Sequence, residues 1–442
     1  MTDNRGIGSL SVESHEFMAS GLDIFSKPEY DTSLVSGKTI EHHMVTALNE
    51  NNTVFEFVIP SEGQDYTYLP LTRLEGEIQI RRADGTAVVA DDMVAPINLL
   101  SSSLFKQVEC ELNGVQVADL TSPCYPYKAF IETHCTYGAD AKKTHLRAAL
   151  YHADSTGREE TFTAASASFA ARKAWLLEND NENTIHFSTP LHLDFFNSQR
   201  YLIPGATLKL KFVKNDDKFC LLSATNAWKI KINSLKLFTR KITVEPSIIQ
   251  QHQSIIKTTK AIYPLAMSRI KTFVVNNGIT ATTIANIFRG KLPRSVIIGM
   301  VHSNGFNGDF AKNPFLFKHF GVSYCNLKIN GSPLPCSTLQ PNFDKGKCVR
   351  EYRHFLDNIG IQHEMETNNL SLEDFKSNTC LFSYDLTPDL CHSFHQHTPN
   401  SGYVDLDLNF HTALTHNITV IVYATFNEYV TIDADGQVKH EQ

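Results

Sequence analysis

The sequence lacks the features that mark secreted and membrane-embedded proteins. Its nine cysteines are scattered, odd in number and without a Cys-x-x-Cys pair, which favours free thiols in a reducing compartment. No apolar run approaches the roughly 18 residues that a membrane helix needs. The first residues, MTDNRGIGSL, contain no apolar signal core. We therefore expect a chain that is neither inserted in a membrane nor secreted by the usual route.

Excess positive charge is also missing. The chain has 40 Lys and Arg against 47 Asp and Glu, a net charge of −7 and a pI of about 6.2. Because proteins that neutralise many phosphates are usually basic, extensive direct wrapping of DNA is not expected. With 42% hydrophobic and 20% charged residues, the 442-residue chain can bury large cores, and two domains are the natural expectation.

Motifs for nucleotide and metal chemistry are absent or incomplete. There is no G-x-x-x-x-G-K-[ST] loop and no strand-linked G-x-G-x-x-G. His363 and Glu364 begin like a zinc-protease motif, but the second histidine at the required spacing is missing. The densest set of ligand residues lacks a matching second pair, which favours a solvated loop over a metal site; this set is Cys391, His392, His395 and His397.

The sequence gives equally weak evidence for catalytic side chains. Cys110, Cys124 and Cys135 suggest a thiol nucleophile near His134, but buried thiols that act as small apolar side chains are the stronger interpretation. Asp405 and Asp407 alternate with apolar residues, as on the outward face of a strand. The sequence therefore predicts no enzyme, no cofactor and no metal ion.

The chain is organised around the stretch from Asp91 to Tyr137. Pro96 to Leu104 looks like one or two helical turns, and Lys106 to Leu112 has the two-residue period of a half-buried strand. Asn113-Gly114 follows, which is the strongest short-range signal for a hairpin. Tyr125 to Tyr137 then spaces its apolar residues at helical intervals.

The rest of the chain reads mostly as β-strands separated by Gly, Pro and Asn. Long, weakly patterned loops are expected at 139–184 and 332–400, where they would carry an outer surface. Strands of this spacing predict an all-β sandwich or barrel class. The predicted strands are Thr53–Ile59, Arg73–Ile80, Ile185–Leu193, Thr207–Val213 and Trp228–Val244, followed by Arg269–Val275, Ser295–Val301, Val322–Ile329, Tyr403–Phe410 and Ile418–Thr425.

Two short internal echoes indicate duplication. Val108–Gly114 is echoed by Cys325–Gly331, and Leu208–Phe212 by Leu406–Phe410, in the same order and about 200 residues apart. We therefore predict that Asn113-Gly114 and Asn330-Gly331 lie at equivalent structural turns of two tandem β-sandwiches. The expected divisions are an N-terminal arm at 1–37, a first unit at 38–245, a second unit at 246–430 and a C-terminal tail at 431–442.

Four segments carry a family resemblance. They are GLDIF from Gly21, EFVIP from Glu56, DDMVAPINLLSSSLFKQVECELNGVQV from Asp91 and CYPYKAFIETHCTYGADAKKTHL from Cys124. They resemble the major capsid proteins of Polinton/Maverick elements and their adintovirus relatives, and the chain keeps the order and spacing of that family through residues 90–146. The chain departs from that pattern at Ala95, Cys124 and Cys135.

The resemblance implies a fold and a role. The fold would be all-β, with two tandem eight-stranded jelly rolls and short helices inserted in loops. The chain would form a homotrimer, a pseudo-hexameric capsomer that meets neighbouring capsomers and a penton-type minor capsid protein in an icosahedral shell around double-stranded DNA. The expected location is the virion capsid, made in the host cytoplasm and assembled there or in the nucleus. The polar arm at 1–37 would tether neighbouring capsomers.

A locally basic zone interrupts this acidic chain. Solvent-facing strand positions that protect sheet edges are the simpler interpretation. The alternative is a surface that faces packaged DNA or acidic arms, so that DNA is contacted at most indirectly. The zone consists of Lys209, Lys211, Lys214, Lys218, Lys229, Lys231, Lys236, Arg240 and Lys241.

A second function class stays open from the residues themselves. Jelly rolls also serve as lectins, so the chain could be a carbohydrate-binding tandem β-sandwich protein. A sugar site needs exposed aromatic rings on a concave sheet. The two tryptophans, Trp175 and Trp228, are few for that purpose.

Overall fold

The fold is that of a computed structural model, which describes most of the chain. The described residues are 22, 24, 25, 27, 30–49, 52–61, 63–118, 124–177, 184–225, 228–335, 337–361, 367–390 and 397–441. The predicted motif at His363 and Glu364, and the cysteine and first two histidines of the 391–397 set, lie outside them.

The first half of the chain forms two four-stranded antiparallel sheets and a small two-stranded one. The sheet orders are β1-β10-β3-β7, β2-β8-β5-β6 and β4-β9. Inward residues of both large sheets, such as Phe57, Leu74 and Leu237, belong to one buried cluster. The strands are β1 (Leu34–His42), β2 (Val54–Ile59), β3 (Tyr66–Arg82), β4 (Val94–Pro96), β5 (Phe105–Leu112), β6 (Val115–Gln116), β7 (Thr184–Pro190), β8 (Leu208–Lys214), β9 (Leu221–Ser223) and β10 (Trp228–Val244).

The second half repeats this arrangement. Its sheet orders are β11-β18-β13-β16, with β19 added to β18, and β12-β17-β14-β15. All of these pairs are antiparallel. The strands are β11 (Ala261–Val275), β12 (Ala281–Lys291), β13 (Ser295–His302), β14 (Val322–Ile329), β15 (Ser332–Leu334), β16 (Leu381–Asp385), β17 (Ser401–Phe410), β18 (Ile418–Ile432) and β19 (Val438–Glu441).

Without β4, β9 and β19, each half has eight strands, and the two sets of eight match in order. In each, the first and eighth strands of the roll pair at one edge and the third lies beside the eighth, while the second, seventh, fourth and fifth form the other sheet. This order is that of an eight-stranded jelly roll. The predicted fold of two tandem jelly rolls is therefore confirmed. The buried cores of the two rolls are continuous with each other.

Short helices occupy the connections. The longest, α2, lies between the rolls, and α6 joins them. Pro246 opens α6, and the carboxylate of Glu245 accepts a hydrogen bond from the Ser247 backbone N–H at 2.8 Å. The helices are α1 (Leu100–Ser103), α2 (Tyr125–Thr136), α3 (Ala139–Lys143), α4 (Ala167–Ala174), α5 (Asp217–Cys220), α6 (Pro246–Ile255), α7 (Ser303–Asn307), α8 (Val349–Asn358) and α9 (Leu372–Ser377).

Several element predictions were wrong in detail. The segment from Pro96 to Leu104 is helical only in part. Pro96 is the last residue of strand β4, in which Ala95 pairs with Leu222, and the helix α1 that follows is a single turn. The segment 332–400 is more than loop, because it contains β15, α8, α9 and β16. All five residues of β16 are buried, so the strand has no alternation to detect. Regular strand pairing begins at Leu34 and continues to Glu441.

Candidate assembly site at the turns and the junction between the rolls

The four predicted turn residues occupy matching positions in the two rolls. Asn113 and Gly114 join β5 to β6 with φ of 49° and 81°, and Asn330 and Gly331 join β14 to β15 with φ of 50° and 82°. Positive φ at both positions suits Asn and Gly because larger side chains clash there.

The asparagine side chains also make matching bonds. The Oδ1 of Asn113 accepts the backbone N–H of Thr207 at 2.8 Å, and the Oδ1 of Asn330 accepts that of Tyr403 at 3.0 Å. Asn113 makes one bond that its counterpart does not share in the described chain: its Nδ2 donates to the Gly436 carbonyl at 2.8 Å. That bond ties the first roll to the turn between β18 and β19.

Aromatic rings on α2 pack against the second roll. The Tyr127 ring stacks on Phe306 with centroids 5.4 Å apart, and its hydroxyl donates to the Pro314 carbonyl at 3.1 Å. Phe130 stacks on Phe315 at 4.5 Å. Aromatic pairs of this kind stabilise by about 0.5–1.5 kcal/mol beyond the area that they bury. The helix that the sequence placed after the first hairpin is therefore a shared core element of both rolls.

Buried charges lie beside these rings. Lys128 Nζ is 2.6 Å from Asp194 Oδ1 and 3.6 Å from Glu132 Oε1. Asp194 accepts the backbone N–H and the hydroxyl of Ser268, both at 2.9 Å, and Glu132 accepts the Tyr423 hydroxyl at 3.2 Å. Since Ser268 and Tyr423 belong to the second roll, the charges of the first roll fix the position of the second.

The electrostatics of this cluster depend on the pairing. Burial raises the pKa of Asp194, although Lys128 opposes the shift. Burial also acts to raise the pKa of Glu132, but the charge of Lys128 and the contact with His192 hold it below its ordinary value. Burial of Lys128 is outweighed by the two carboxylates, so its pKa is raised. Lys128 therefore keeps its charge and offsets part of the negative charge of the two carboxylates.

The loop after α2 reaches the second roll as well. Lys142 Nζ donates to the Asn368 carbonyl at 2.6 Å, and the Thr156 hydroxyl donates to Asp374 at 2.8 Å. Asp154 accepts Asn313 Nδ2 at 3.2 Å. Sequence reasoning missed these partners, because they lie more than 150 residues apart along the chain.

The candidate nucleophile is not assembled. Burial raises the pKa of the Cys110 thiol beyond its ordinary value and that of Cys135 to about 12. Burial, with the charge of Lys142, lowers the pKa of His134 to about 3. His134 Nδ1 donates to the Phe130 carbonyl at 3.1 Å. The thiols and the imidazole are therefore neutral near pH 7, which suits core packing.

The remaining candidate residues have ordinary partners. His397 Nε2 donates to Asp389 at 2.9 Å. Within the described ranges, no group of three His, Cys, Asp or Glu side chains could hold a metal ion. Asp405 accepts the Asn286 backbone N–H at 2.7 Å, and Asp407 pairs with Lys328. These two carboxylates are cross-strand contacts on the outer side of β17.

Much of the basic zone is neutralised by neighbouring carboxylates. Lys209 pairs with Glu56 at 3.2 Å, and Lys211 pairs with Glu109 at 3.2 Å. The same holds for Lys214 with Asp217 at 3.0 Å and Lys236 with Glu41 at 2.8 Å. Lys241 is buried and donates to the Thr67 hydroxyl at 2.8 Å. These contacts favour the interpretation as strand positions over a phosphate-binding surface.

The tryptophans do not form a sugar-stacking surface. Trp228 is buried, and its Nε1 donates to the Ser223 hydroxyl at 2.9 Å. Trp175 is half-buried beside His152.

Among the helices of the described residues, none is both long and apolar enough to cross a membrane.

Comparison with known proteins gives one sequence relative and several structures. No family model matches the chain. An uncharacterized protein of Caenorhabditis elegans is 26% identical over 395 residues, which are 86% of this chain and 91% of the relative. This identity indicates a related chain without assigning a role to it.

The similar solved structures come from viruses. A chain of the Sputnik virophage, seen by cryo-electron microscopy, is 10% identical with a TM-score of 0.64 and covers 98% of this chain and 94% of its own. A chain of the PBCV-1 virus capsid is 11% identical with a TM-score of 0.58, covering 94% and 98%. The Faustovirus major capsid protein is 9% identical with a TM-score of 0.56, covering 92% of each chain.

These similarities define the class of fold. The chain has the double jelly roll found in major capsid proteins of large double-stranded DNA viruses and virophages. Identities near 10% show a shared fold and not a shared family. The carbohydrate-binding alternative gains no support from these neighbours.

Proposed function

We propose that the chain is a major capsid protein, a structural and non-catalytic component of a virus or virus-like element. The observation that carries this proposal is the pair of jelly rolls with one strand order, held together through the buried cluster of Lys128, Glu132 and Asp194. A shell subunit needs such rigidity because its two rolls must present fixed faces to its neighbours. The full-length fold similarity to viral capsid chains supports it.

The oligomer follows from symmetry. Two similar rolls in each of three chains give six similar faces, so a C₃ homotrimer can act as a pseudo-hexameric capsomer. Such capsomers tile an icosahedral shell around double-stranded DNA. Because the chain is acidic overall, it contacts packaged DNA at most indirectly. Neighbouring capsomers and a penton-type minor capsid protein are the proposed partners.

The element type and the organisation of the chain are part of the proposal. The motifs of residues 90–146 support the Polinton/Maverick and adintovirus type. We assign residues 1–37 to a tethering arm, 38–245 and 246–430 to the rolls, and 431–442 to a tail. The proposed location is the virion capsid, after synthesis in the host cytoplasm and assembly in the host cell. The parts of the segments 139–184 and 332–400 that lie outside the strands are proposed to face outward.

Light scattering and negative-stain microscopy of the purified full-length protein test the proposal. The expected mass is about three times the 49.6 kDa of the chain, little changed by dilution into the nanomolar range. Hexagonal capsomers or shells should be visible in micrographs. A stable, folded monomer at micromolar concentration would contradict the capsomer assignment.

A further inference from the structure

An open apolar groove lies where the two rolls meet α6. Its volume is about 900 Å³. The start of β1, the end of β10, α6, the start of β11 and the turn between β18 and β19 all contribute to its walls. The groove therefore exists only because both rolls and their connecting helix come together, and the buried cluster at α2 does not contribute to it.

Several apolar side chains on the groove are only partly covered, and charged residues such as Arg200 and Asp435 also line it. Ile255 on α6 is 56% exposed, and Ile262 on β11 and Leu34 on β1 are exposed as well. Of the ten residues of α6, only Ile249 is buried, whereas α2 buries eight of its twelve. The exposed Ile255 and the half-buried Ile248 are the apolar surface that α6 presents to the groove, and the other exposed residues of this helix are mostly polar.

The walls of the groove are held by hydrogen bonds. The Tyr66 hydroxyl hydrogen-bonds to His252 Nδ1 at 2.8 Å, which anchors α6 to the first roll. The Tyr263 hydroxyl donates to the Tyr201 carbonyl at 3.2 Å and accepts the Ile203 backbone N–H at 3.1 Å, which joins β11 to the first roll. The groove is therefore largely formed before a partner binds, as is usual for binding sites.

The same chain carries an apolar segment without a place to bury it. Leu22, Ile24 and Phe25 are 68%, 74% and 94% exposed. Isolated exposed apolar side chains are common, but a cluster of three within four residues indicates a contact surface. The chain then leads to Ser33, which itself lines the groove. The eight Cα-to-Cα steps from Phe25 to Ser33 span at most about 29 Å when extended.

We propose that the Leu22–Phe25 segment of one protomer docks in the α6 groove of a neighbouring copy. Within one chain the side chains of Leu22, Ile24 and Phe25 are exposed and the groove is open, so both are accessible to another copy. The contact is heterologous, because each chain supplies one segment and one groove. Such contacts close into a ring or continue from one ring to the next. This inference rests on the proposed function, in which copies of the chain lie side by side, and it identifies the surface that tethers them.

Photo-crosslinking tests which chain supplies the segment. The full chain is made with Phe25→benzoylphenylalanine in normal and ¹⁵N-labelled forms, which are mixed, assembled and irradiated. Crosslinks from position 25 to α6 or to the start of β11, in pairs of mixed label, are the expected result. Crosslinks within single chains only, or crosslinks that avoid the groove, would overturn the proposal.

Peptide binding tests the groove without requiring assembly. A fluorescent peptide of residues 18–30 is titrated into the full chain that carries Leu22→Ser, Ile24→Ser and Phe25→Ser. Adding Ile255→Ser should weaken binding at least tenfold. The matched control Val274→Ser removes an equally exposed apolar side chain outside the groove and should change binding less than twofold.

The outcomes separate this proposal from the proposed function. No binding of the peptide, or equal binding to the Ile255→Ser variant, overturns the groove assignment even if trimers and shells form. Saturable, Ile255-dependent binding to a protein that stays monomeric supports the groove and instead contradicts the capsomer. A peptide with serine at its three apolar positions should not bind.

Discussion

Acid should destabilise this protein through His134 on α2. The imidazole is buried, stacks on the Phe130 ring with centroids 3.8 Å apart and donates to the Phe130 carbonyl. Burial and the nearby charge of Lys142 lower its pKa from 6.5 to about 3. Protonation would place an additional cation in the junction between the rolls. The test is to lower the pH and to compare the resulting loss in the free energy of unfolding between the wild-type chain and His134→Gln.

The magnitude follows from linkage. Above pH 6.5 the imidazole is neutral in the folded and unfolded states, and its contribution to stability is fully present. Below pH 6.5 the unfolded state binds a proton that the folded state does not, so the free energy of unfolding falls by about 1.4 kcal/mol per pH unit. The loss continues until the pH nears the folded pKa of about 3. At pH 5 this histidine alone should cost about 2 kcal/mol relative to pH 7.5.

Guanidinium denaturation at pH 7.5 and pH 5 measures this effect. The drop in the free energy of unfolding should be about 2 kcal/mol smaller in His134→Gln than in wild type. The other titrating groups are shared and cancel in the comparison. His186→Gln, which removes an exposed histidine, is the matched control and should behave like wild type. Equal pH dependence in wild type and His134→Gln would refute the assignment of a neutral, buried imidazole.

Three further perturbations test the junction, the turn and the arm. Lys128→Met should lower the free energy of unfolding by about 3–5 kcal/mol, because it leaves the carboxylates of Asp194 and Glu132 buried without their cation. Its control is Lys209→Met, at a more exposed pair with Glu56, which should lower the free energy of unfolding by less than about 1 kcal/mol in the same denaturation assay. Gly114→Val should cost about 1–3 kcal/mol, since φ of 81° is strained for a β-branched residue, and Gly114→Asn should be tolerated; an unchanged melting temperature in the valine variant would mean that the turn is wrongly assigned. Deleting residues 1–30 should leave the protein trimeric, with a light-scattering mass of three shortened chains, while reducing shell formation in micrographs. Loss of the trimer itself would place this segment in the trimer core.

Local patterns in the sequence were enough to predict many of the strands. Val108, Cys110 and Leu112 alternate on one face of β5 and are buried as the period predicts. A two-residue hairpin turn requires positive φ at both positions, which Asn and Gly adopt easily. The hairpins at Asn113 and Asn330 could therefore be predicted from the local sequence. The echo of these hairpins, about 200 residues apart, predicted two similar β-sandwiches, and the family resemblance predicted that each is a jelly roll.

Strands without a local period were not readable in this way. All five residues of β16 are buried, and α8 packs beside it, where the Ser383 hydroxyl donates to the Phe355 carbonyl. Such a strand resembles any short apolar run. On β12, the register shift between Ile284 and Phe288 interrupts the alternation, so this edge strand was also missed.

The amino-acid sequence by itself determined the all-β class of the fold and its two similar halves. Strand period and turn chemistry act over a few residues at a time, and the duplication repeats these local patterns. Only the tertiary structure decided its working surfaces. Lys128 meets Asp194 from 66 positions away, and Asp194 in turn holds Ser268 of the other roll. The α6 groove likewise joins segments from Ser33 to Gly436. Such contacts depend on how the two rolls pack, and no spacing within the chain specifies which distant side chains will share a buried site.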